Sequence, residues 1–459
     1  MINGDLARRG VRMLATAIVT VVTAGCVLLA GGAPATAVPL PQADSFYQPP
    51  EGFEFREPGD VLRAREVRLA VLTVLPLNVR SWQLLYRTTD LFGQPAAAVT
   101  TVLLPAGADP NRSRPLVSLQ FYYDSASPDC APSFVLRQGA GLPGAEGIHS
   151  QSELIAVAAL LSQGWAVSIP DYEGLEGHLA VAEEPGYMTL DGIRAAERFE
   201  PLGLDGTNTP VALWGYSGGG MASGWAAEMQ PTYAPELNVK GIALGAPTSD
   251  VVSLLHVNGS MFSSLIGIGI SSLRKAYPEF RAASDRYLTP EGRVLMDRTA
   301  AQCLPRNALT QMFVDYQRML TIPIADFLAV PEIAEVFDAT VLGRNIPAAP
   351  IFLYHGVWDE AVPIWTNDLL AQRYCTGGAS VVYQRDHLSE HLSLPSLGMA
   401  ETFNWLKARL APSAPDQVGC RTENVVSMLA DADALLSQIE INLNATFGAL
   451  GFPIGPRER

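Results

Sequence analysis

The sequence predicts an α/β fold in which a mostly parallel central sheet with crossover helices is interrupted by an inserted helical cap. Short apolar runs alternate with helical patterns over most of the chain. The stretch 249–345 breaks that rhythm, with apolar residues at helical spacing and no strands between them. A buried strand, a glycine-flanked serine and a helix of small residues follow one another in VALWGYSGGGMASGWAAE. At 459 residues, 48% hydrophobic and 17% charged, the chain can bury one large or two medium cores. It lacks the composition of a disordered protein.

The N-terminus reads as an export signal over residues 1–37. Arg8, Arg9 and Arg12 precede the apolar run MLATAIVTVVTAGCVLLAGG, and Ala35-Thr36-Ala37 supplies small residues for cleavage before Val38. A membrane anchor, a twin-arginine signal at Arg8-Arg9 and lipidation at Cys26 are the rival readings. The helix-breaking GGAP and the small-residue site favour removal. A formal charge of −15 and a pI near 4.9 exclude a nucleic-acid partner, which would need clustered Lys and Arg. Such an acidic surface suits an exported, soluble protein.

Along residues 38–248, VRSWQLLYRTT and AAAVTTVLLPAG flank the turn DLFGQP as an antiparallel hairpin. RPLVSLQFY, GWAVSIPDYEG, VALWGYS and KGIALGAP read as buried strands, with helices near QSELIAVAALLSQ, LDGIRAAERF and GGGMASGWAAEMQ. In 249–345, SLIGIGISSLRKAY, EGRVLMDRTAAQ and ALTQMFVDYQRMLTIPIADFLAV are helical in period. The sheet resumes over 346–420 with APIFLYHG and ASVVYQRD, around a helix near VPIWTNDLLAQRY. In the tail, 421–459, VVSMLADADALLSQI reads as a docking helix.

Loss of the signal leaves Cys130, Cys303, Cys375 and Cys420, an even number in an oxidising compartment. Of the three pairings, Cys375 with Cys420 and Cys130 with Cys303 is favoured, and buried free thiols are the alternative. The Cys375–Cys420 loop would stabilise by about 4 kcal/mol in the loop-closure picture. No Cys/His spacing suggests structural zinc.

The serine of Gly215-Tyr216-Ser217-Gly218-Gly219 is the candidate nucleophile. Flanking glycines allow a sharp turn that lifts the hydroxyl above the sheet's carboxyl edge. The helix N-terminus adds a positive dipole end, and the Gly218 amide would face the oxyanion of a tetrahedral intermediate. Such a serine needs a base, and the base needs an acid. Asp359 lies just past the strand APIFLYHG and is favoured over Glu360, because its turn continues into the helix start VPIWTN.

The base must come from RDHLSEHLSLP. Taken literally, His387-Leu388-Ser389-Glu390-His391 spells H-x-x-E-H, a zinc motif that needs both imidazoles on one helical face. The stretch follows the strand ASVVYQ and is cut by Pro395, and no downstream helix offers a third ligand. A loop at the sheet's carboxyl edge is therefore expected, with no metal. Spacing alone gives a modest edge to His391 over His387.

With these residues in view, the chain resembles the secretory lipase family of Candida-type yeasts and actinobacteria. The matching stretches are DSFYQPP, SWQLLYRTTDLFGQP, YYDSASPDCAPSF, PDYEG with LDGIRAA, ALWGYSGGG, HGVWDEAVP and SEHLSL. The resemblance implies an α/β-hydrolase fold with a large helical lid. It assigns His391, in its EH-x-S context, as base, and gives Asp124 of YYDS an oxyanion-hole role as a side-chain donor. A carboxylate would repel an oxyanion, so Asp124 would have to be protonated at working pH.

The cap carries the substrate expectation. Met261, Phe262, Leu265, Ile266, Ile268, Met312, Phe313, Met319 and Leu320 offer apolar surface consistent with an acyl-chain channel. The expected protein is a secreted, cofactor-free serine esterase, a triacylglycerol lipase by resemblance. Its expected partners are an acyl-ester substrate and transient contact with a lipid interface, and no protein partner is implied. An acyltransferase using the same triad and a catalytically silent lipid-binding protein are the alternatives.

Overall fold

Ten extended segments assemble into one sheet in the computed structural model, which describes residues 38–109, 111–141 and 148–456. The export segment read over 1–37, Cys26 included, lies outside the described residues. The strands are β1 (Val61–Glu66), β2 (Val79–Thr89), β3 (Pro95–Pro105), β4 (Leu116–Gln120), β5 (Ala166–Pro170), β6 (Val211–Tyr216), β7 (Val239–Gly245), β8 (Ile351–Gly356), β9 (Val381–Asp386) and β10 (Cys420–Val425). Their order across the sheet is β1-β2-β3-β5-β4-β6-β7-β8-β9-β10. The pairings β1–β2, β2–β3 and β3–β5 are antiparallel. From β5 across to β10 every neighbouring pair is parallel.

Parallel strands joined by crossover helices are covered on both faces, so they read as continuous apolar runs. The central strands obey this, with every residue of β4, β5, β6 and β8 buried. The helices are α1 (Leu154–Ser162), α2 (Glu184–Glu197), α3 (Gly218–Tyr233), α4 (Ile364–Thr376), α5 (Met399–Leu410) and α6 (Ala432–Ala449), and α2 packs against α3. Glycine and alanine fill much of α3, which lets it lie close to β6 and β7.

The tail is more than a docking helix, and the boundary at 420 falls on a strand. Cys420–Val425 pairs in parallel with β9, from Val381↔Cys420 to Asp386↔Val425. As an edge strand CRTENV exposes most of its side chains, so it carries no apolar run by which to recognise it. The helix of the tail, α6, starts at Asp431, whose carboxylate accepts from the Asp433 and Ala434 amides. It packs on α1 and α5.

Between β7 and β8 the chain is helical: Ser264–Ala276, Pro278–Tyr287, Pro290–Ala300, Leu304–Gln311, Ile324–Leu328 and Pro331–Ala339. Proline at the first helical position starts three of these, at Pro278, Pro290 and Pro331. ALTQMFVDYQRMLTIPIADFLAV is not one helix, because the chain turns out of α-geometry after Gln311 and re-enters it after Pro323.

Disulfides join Cys130 to Cys303 and Cys375 to Cys420. The first ties the cap to the loop after β4, and its longer loop gives about 5 kcal/mol in the loop-closure picture. The cap's return is held by Glu228 of α3, whose carboxylate accepts from the amides of Gly343 (2.6 Å), Arg344 (3.2 Å) and Asn345 (2.9 Å) and from the Tyr374 hydroxyl (2.8 Å).

Candidate active site

Four loops at the carboxyl edge of the sheet bring the candidate residues together. Ser217 follows β6, Asp124 follows β4, Asp359 follows β8 and His391 follows β9. In open α/β sheets this edge is where ligands bind.

Ser217 adopts φ 51° and ψ −118°, a strained conformation for a side-chain-bearing residue. The turn is held by the Ser217 amide, which donates to Gly245 O at 2.8 Å. Close approach also explains the glycine after it: a Cβ at Gly218 would collide with Asp124 Oδ1. Ser217 Oγ lies 3.0 Å from His391 Nε2.

His391 Nδ1 lies 2.7 Å from Asp359 Oδ2. The imidazole is further held by its own backbone, whose amide donates to Glu360 Oε2 at 2.9 Å and whose carbonyl accepts from the Tyr216 hydroxyl at 2.7 Å. Glu360 thus touches the base loop through its backbone, while Asp359 meets the ring. His387 is elsewhere: its Nε2 lies 3.1 Å from Asn424 Oδ1 and its amide donates to Val425 O. The two histidines of H-x-x-E-H do not converge, and among the described residues no group of three or more His, Cys, Asp or Glu side chains could hold a metal ion.

Burial and charge oppose each other at this site. Burial works against the Asp359 carboxylate, but the His391 charge and hydrogen bonds from His355 and His391 outweigh it and hold Asp359 below the usual carboxylate range. Burial likewise opposes a charge on His391, yet Asp359 above all, with Glu360 and Asp124, pushes its pKa up. Asp124 has no such support. Burial pushes it up to about 6 against the opposing pull of the His391 imidazolium.

The loop carrying Asp124 is fixed by further buried carboxyls. Glu153 Oε2 accepts from the Tyr122 amide at 2.9 Å, and Asp171 Oδ1 accepts from the Ser133 amide at 3.0 Å. Burial raises Glu153 and Glu173 well above the ordinary range and Asp171 to about 7.

Beside Ser217 lies a cavity of about 30 Å3 lined by Leu179, Met221, Leu254, Leu265, Ile268 and Val362, among others. Of the nine cap residues whose apolar surface reads as consistent with an acyl channel, much of it as ordinary core, Leu265 and Ile268 line this cavity. Ile266 is buried instead with Val257, Met296 and Tyr316, against which Phe262, Met319 and Leu320 pack. Met261, Met312 and Phe313 are exposed. Helical spacing identifies apolar faces without saying which face meets the nucleophile.

Sequence reasoning missed His355 and Asn367. His355 is wholly buried in β8, with Nε2 3.1 Å from Asp359 Oδ2 and Nδ1 2.9 Å from Asn367 Nδ2. The available signal was its place in LYHGVWDEAVP, at the end of the strand that delivers Asp359.

The sheet order, the crossover helices and the residues gathered at the carboxyl edge define an α/β-hydrolase. The chain belongs to the secretory lipase family, with residues 141–417 matching the family described as Secretory lipase. It is 41% identical over 373 residues to a Mycobacterium tuberculosis protein named "Probable inactive lipase", covering 81% of this chain and 83% of that one. It is 35% identical over 427 residues to Lipase A of Arthroderma benhamiae, covering 91% and 90%. Among solved structures it resembles Candida antarctica lipase A, with a TM-score of 0.81, 26% identity and coverage of 92% of this chain and 100% of that one.

Proposed function

We propose that this chain is an exported carboxylic ester hydrolase, a lipase acting on triacylglycerol-type esters through an acyl-enzyme on Ser217. The observation that carries the reading is the continuous run from Ser217 Oγ to His391 Nε2 (3.0 Å) and from His391 Nδ1 to Asp359 Oδ2 (2.7 Å). In this scheme Ser217 attacks the ester carbonyl while His391 takes its proton, and Asp359 stabilises the resulting imidazolium. The oxyanion is met by the Gly218 amide and by protonated Asp124. His391 then protonates the departing alcohol, and water repeats the sequence to release the acid. Membership in a family described as secretory, and two disulfides, support export.

Release of p-nitrophenol from short and long acyl esters by the mature chain, with and without Ser217→Ala, tests this. Activity lost in Ser217→Ala supports the scheme, and activity retained in it overturns the scheme. A silent lipid-binding reading is favoured by the name of the mycobacterial relative. It requires the wild-type chain to release no p-nitrophenol and to leave Ser217 unlabelled by a fluorophosphonate.

A further inference from the structure

We infer that His355 is a positioning residue for Asp359, locked by Asn367 into the tautomer that donates to the carboxylate. The inference rests on the triad reading above and extends it by one layer.

Asp359 is a buried acceptor with four hydrogen-bond partners among the described residues. Oδ1 accepts from the amides of Ala361 (2.9 Å) and Val362 (2.6 Å), and Oδ2 faces His391 Nδ1 at 2.7 Å and His355 Nε2 at 3.1 Å. A carboxylate offers about four acceptor positions, so this set fills it and fixes its rotation. The two amides hold only one oxygen. Oδ2, the oxygen that meets the base, is held by the two histidines.

Which nitrogen of His355 carries the proton follows from its neighbours. Nε2 faces two oxygens, Asp359 Oδ2 and Val362 O at 3.0 Å, and both accept, so Nε2 must donate. Nδ1 faces Asn367 Nδ2 at 2.9 Å, and that amide nitrogen also lies 3.0 Å from Pro247 O. A carbonyl oxygen only accepts, so the Asn367 amide must present its N–H groups to Pro247 O and to Nδ1, and Nδ1 accepts. Asn367 Oδ1 is buried with no hydrogen-bond partner among the described residues, a costly arrangement. Pro247 lies beyond β7, Asn367 in α4 and His355 in β8, so three elements converge to set one proton.

His355 touches neither Ser217 nor the cavity beside it, so its effect passes through Asp359. Without its donor, Oδ2 can turn away from His391, and the base loses orientation while substrate contacts are untouched. His355→Phe should therefore lower kcat by roughly 10- to 100-fold with KM unchanged. His355→Gln, whose amide can donate from nearly the same place, should recover most of the loss.

The test measures kcat, KM and thermal midpoint for His355→Phe, His355→Gln and Asn367→Ala, with Ser217→Ala assayed alongside. It adds 15N NMR of histidine-labelled wild-type protein at pH 7, with His355 assigned from the Gln variant. The expected result is a His355 ring protonated on Nε2 and bare on Nδ1, with kcat falling in the order wild type, Gln, Phe. An Nδ1-protonated ring overturns the inference even if the Phe variant does not fold. Equal kcat for the Phe and Gln variants overturns it too, as does unchanged kcat in Phe. If Ser217→Ala stays active, the triad reading itself has failed. If Ser217→Ala is silent while His355→Phe works normally, only the positioning inference has failed.

Discussion

The carboxyl of Asp124 occupies the space where a side chain at Gly218 would begin. This puts an ionisable group against the turn that carries Ser217, and the proposed acyl-enzyme scheme would use that group as a donor. Asp124→Asn keeps a neutral donor in place and should retain much of the turnover. Asp124→Ala should lose roughly two to three orders of magnitude, the usual cost of one oxyanion donor. Equal rates for the two variants, measured on one ester, would remove Asp124 from the oxyanion hole.

The two histidines of the base loop point to different partners, so they should separate cleanly. His391→Ala should abolish labelling of Ser217 by a fluorophosphonate, since the hydroxyl then has no base. His387→Ala should label at close to the wild-type rate, and a chelator should change neither. Labelling that survives in His391→Ala and disappears in His387→Ala would reverse the assignment.

Asp359→Asn tests the acid. The chain should fold, because Oδ1 can still accept from the Ala361 and Val362 amides. Turnover should fall by roughly three to four orders of magnitude, as when an orienting carboxylate is lost. Near-normal turnover would move the role to Glu360 or another carboxylate.

Activity should depend on pH in a bell, because the charges of Asp124 and His391 act on each other and the proposed scheme needs one of them protonated. With both protonated, His391 cannot take the serine proton. With neither protonated, Asp124 cannot donate. The one-proton form contains the working arrangement, neutral His391 beside protonated Asp124. In Asp124→Asn the alkaline limb of kcat/KM should vanish. The acid limb should stay in place or move to higher pH, because on that limb Asp124 is already protonated and carries no charge to raise the His391 pKa. An unchanged alkaline limb would assign it to another group.

Stability should fall from mildly acid to mildly alkaline pH. Burial raises Asp171 to about 7, Asp124 to about 6, and Glu153 and Glu173 well above their ordinary values. In the unfolded chain these carboxyls lose their protons near pH 4. Between about pH 4 and pH 7 the folded state therefore binds more protons than the unfolded one, and stability declines as pH rises. The thermal midpoint should be lower at pH 8 than at pH 5.5, with a smaller difference in Asp171→Asn. A midpoint that rises over this interval would contradict the neutral carboxyls.

What the sequence disclosed follows from how far each signal reaches. The central strands were legible because burial on both faces leaves an unbroken apolar run, as in VALWGY. The edge strands VLRARE and CRTENV were not, since half-exposed residues carry no such mark. Ser217 and Asp359 could be named because each stands just past a legible strand, and the parallel sheet brings such ends together, whereas the EH-x-S resemblance, more than spacing, singled out His391 over His387. His355 could not be read this way. A histidine inside an apolar strand looks like core until the Asn367 amide, from a different element, reaches its ring.

The cavity beside Ser217, at about 30 Å3, has room for a water or two and none for an acyl chain, so the proposed turnover of a long ester would require the cap to yield. It cannot yield equally everywhere. On the Asp124 flank the Cys130–Cys303 bond acts as a door's hinge post. On the Asp359 flank the contacts are hydrogen bonds, with His256 Nε2 3.2 Å from Glu360 O and Arg373 Nη1 donating to Leu342 O at 2.9 Å. The sheet order puts Ser217 between these two jambs, with β4 on one side and β7 and β8 on the other. The cap is thus joined covalently on the Asp124 side and by hydrogen bonds on the Asp359 side.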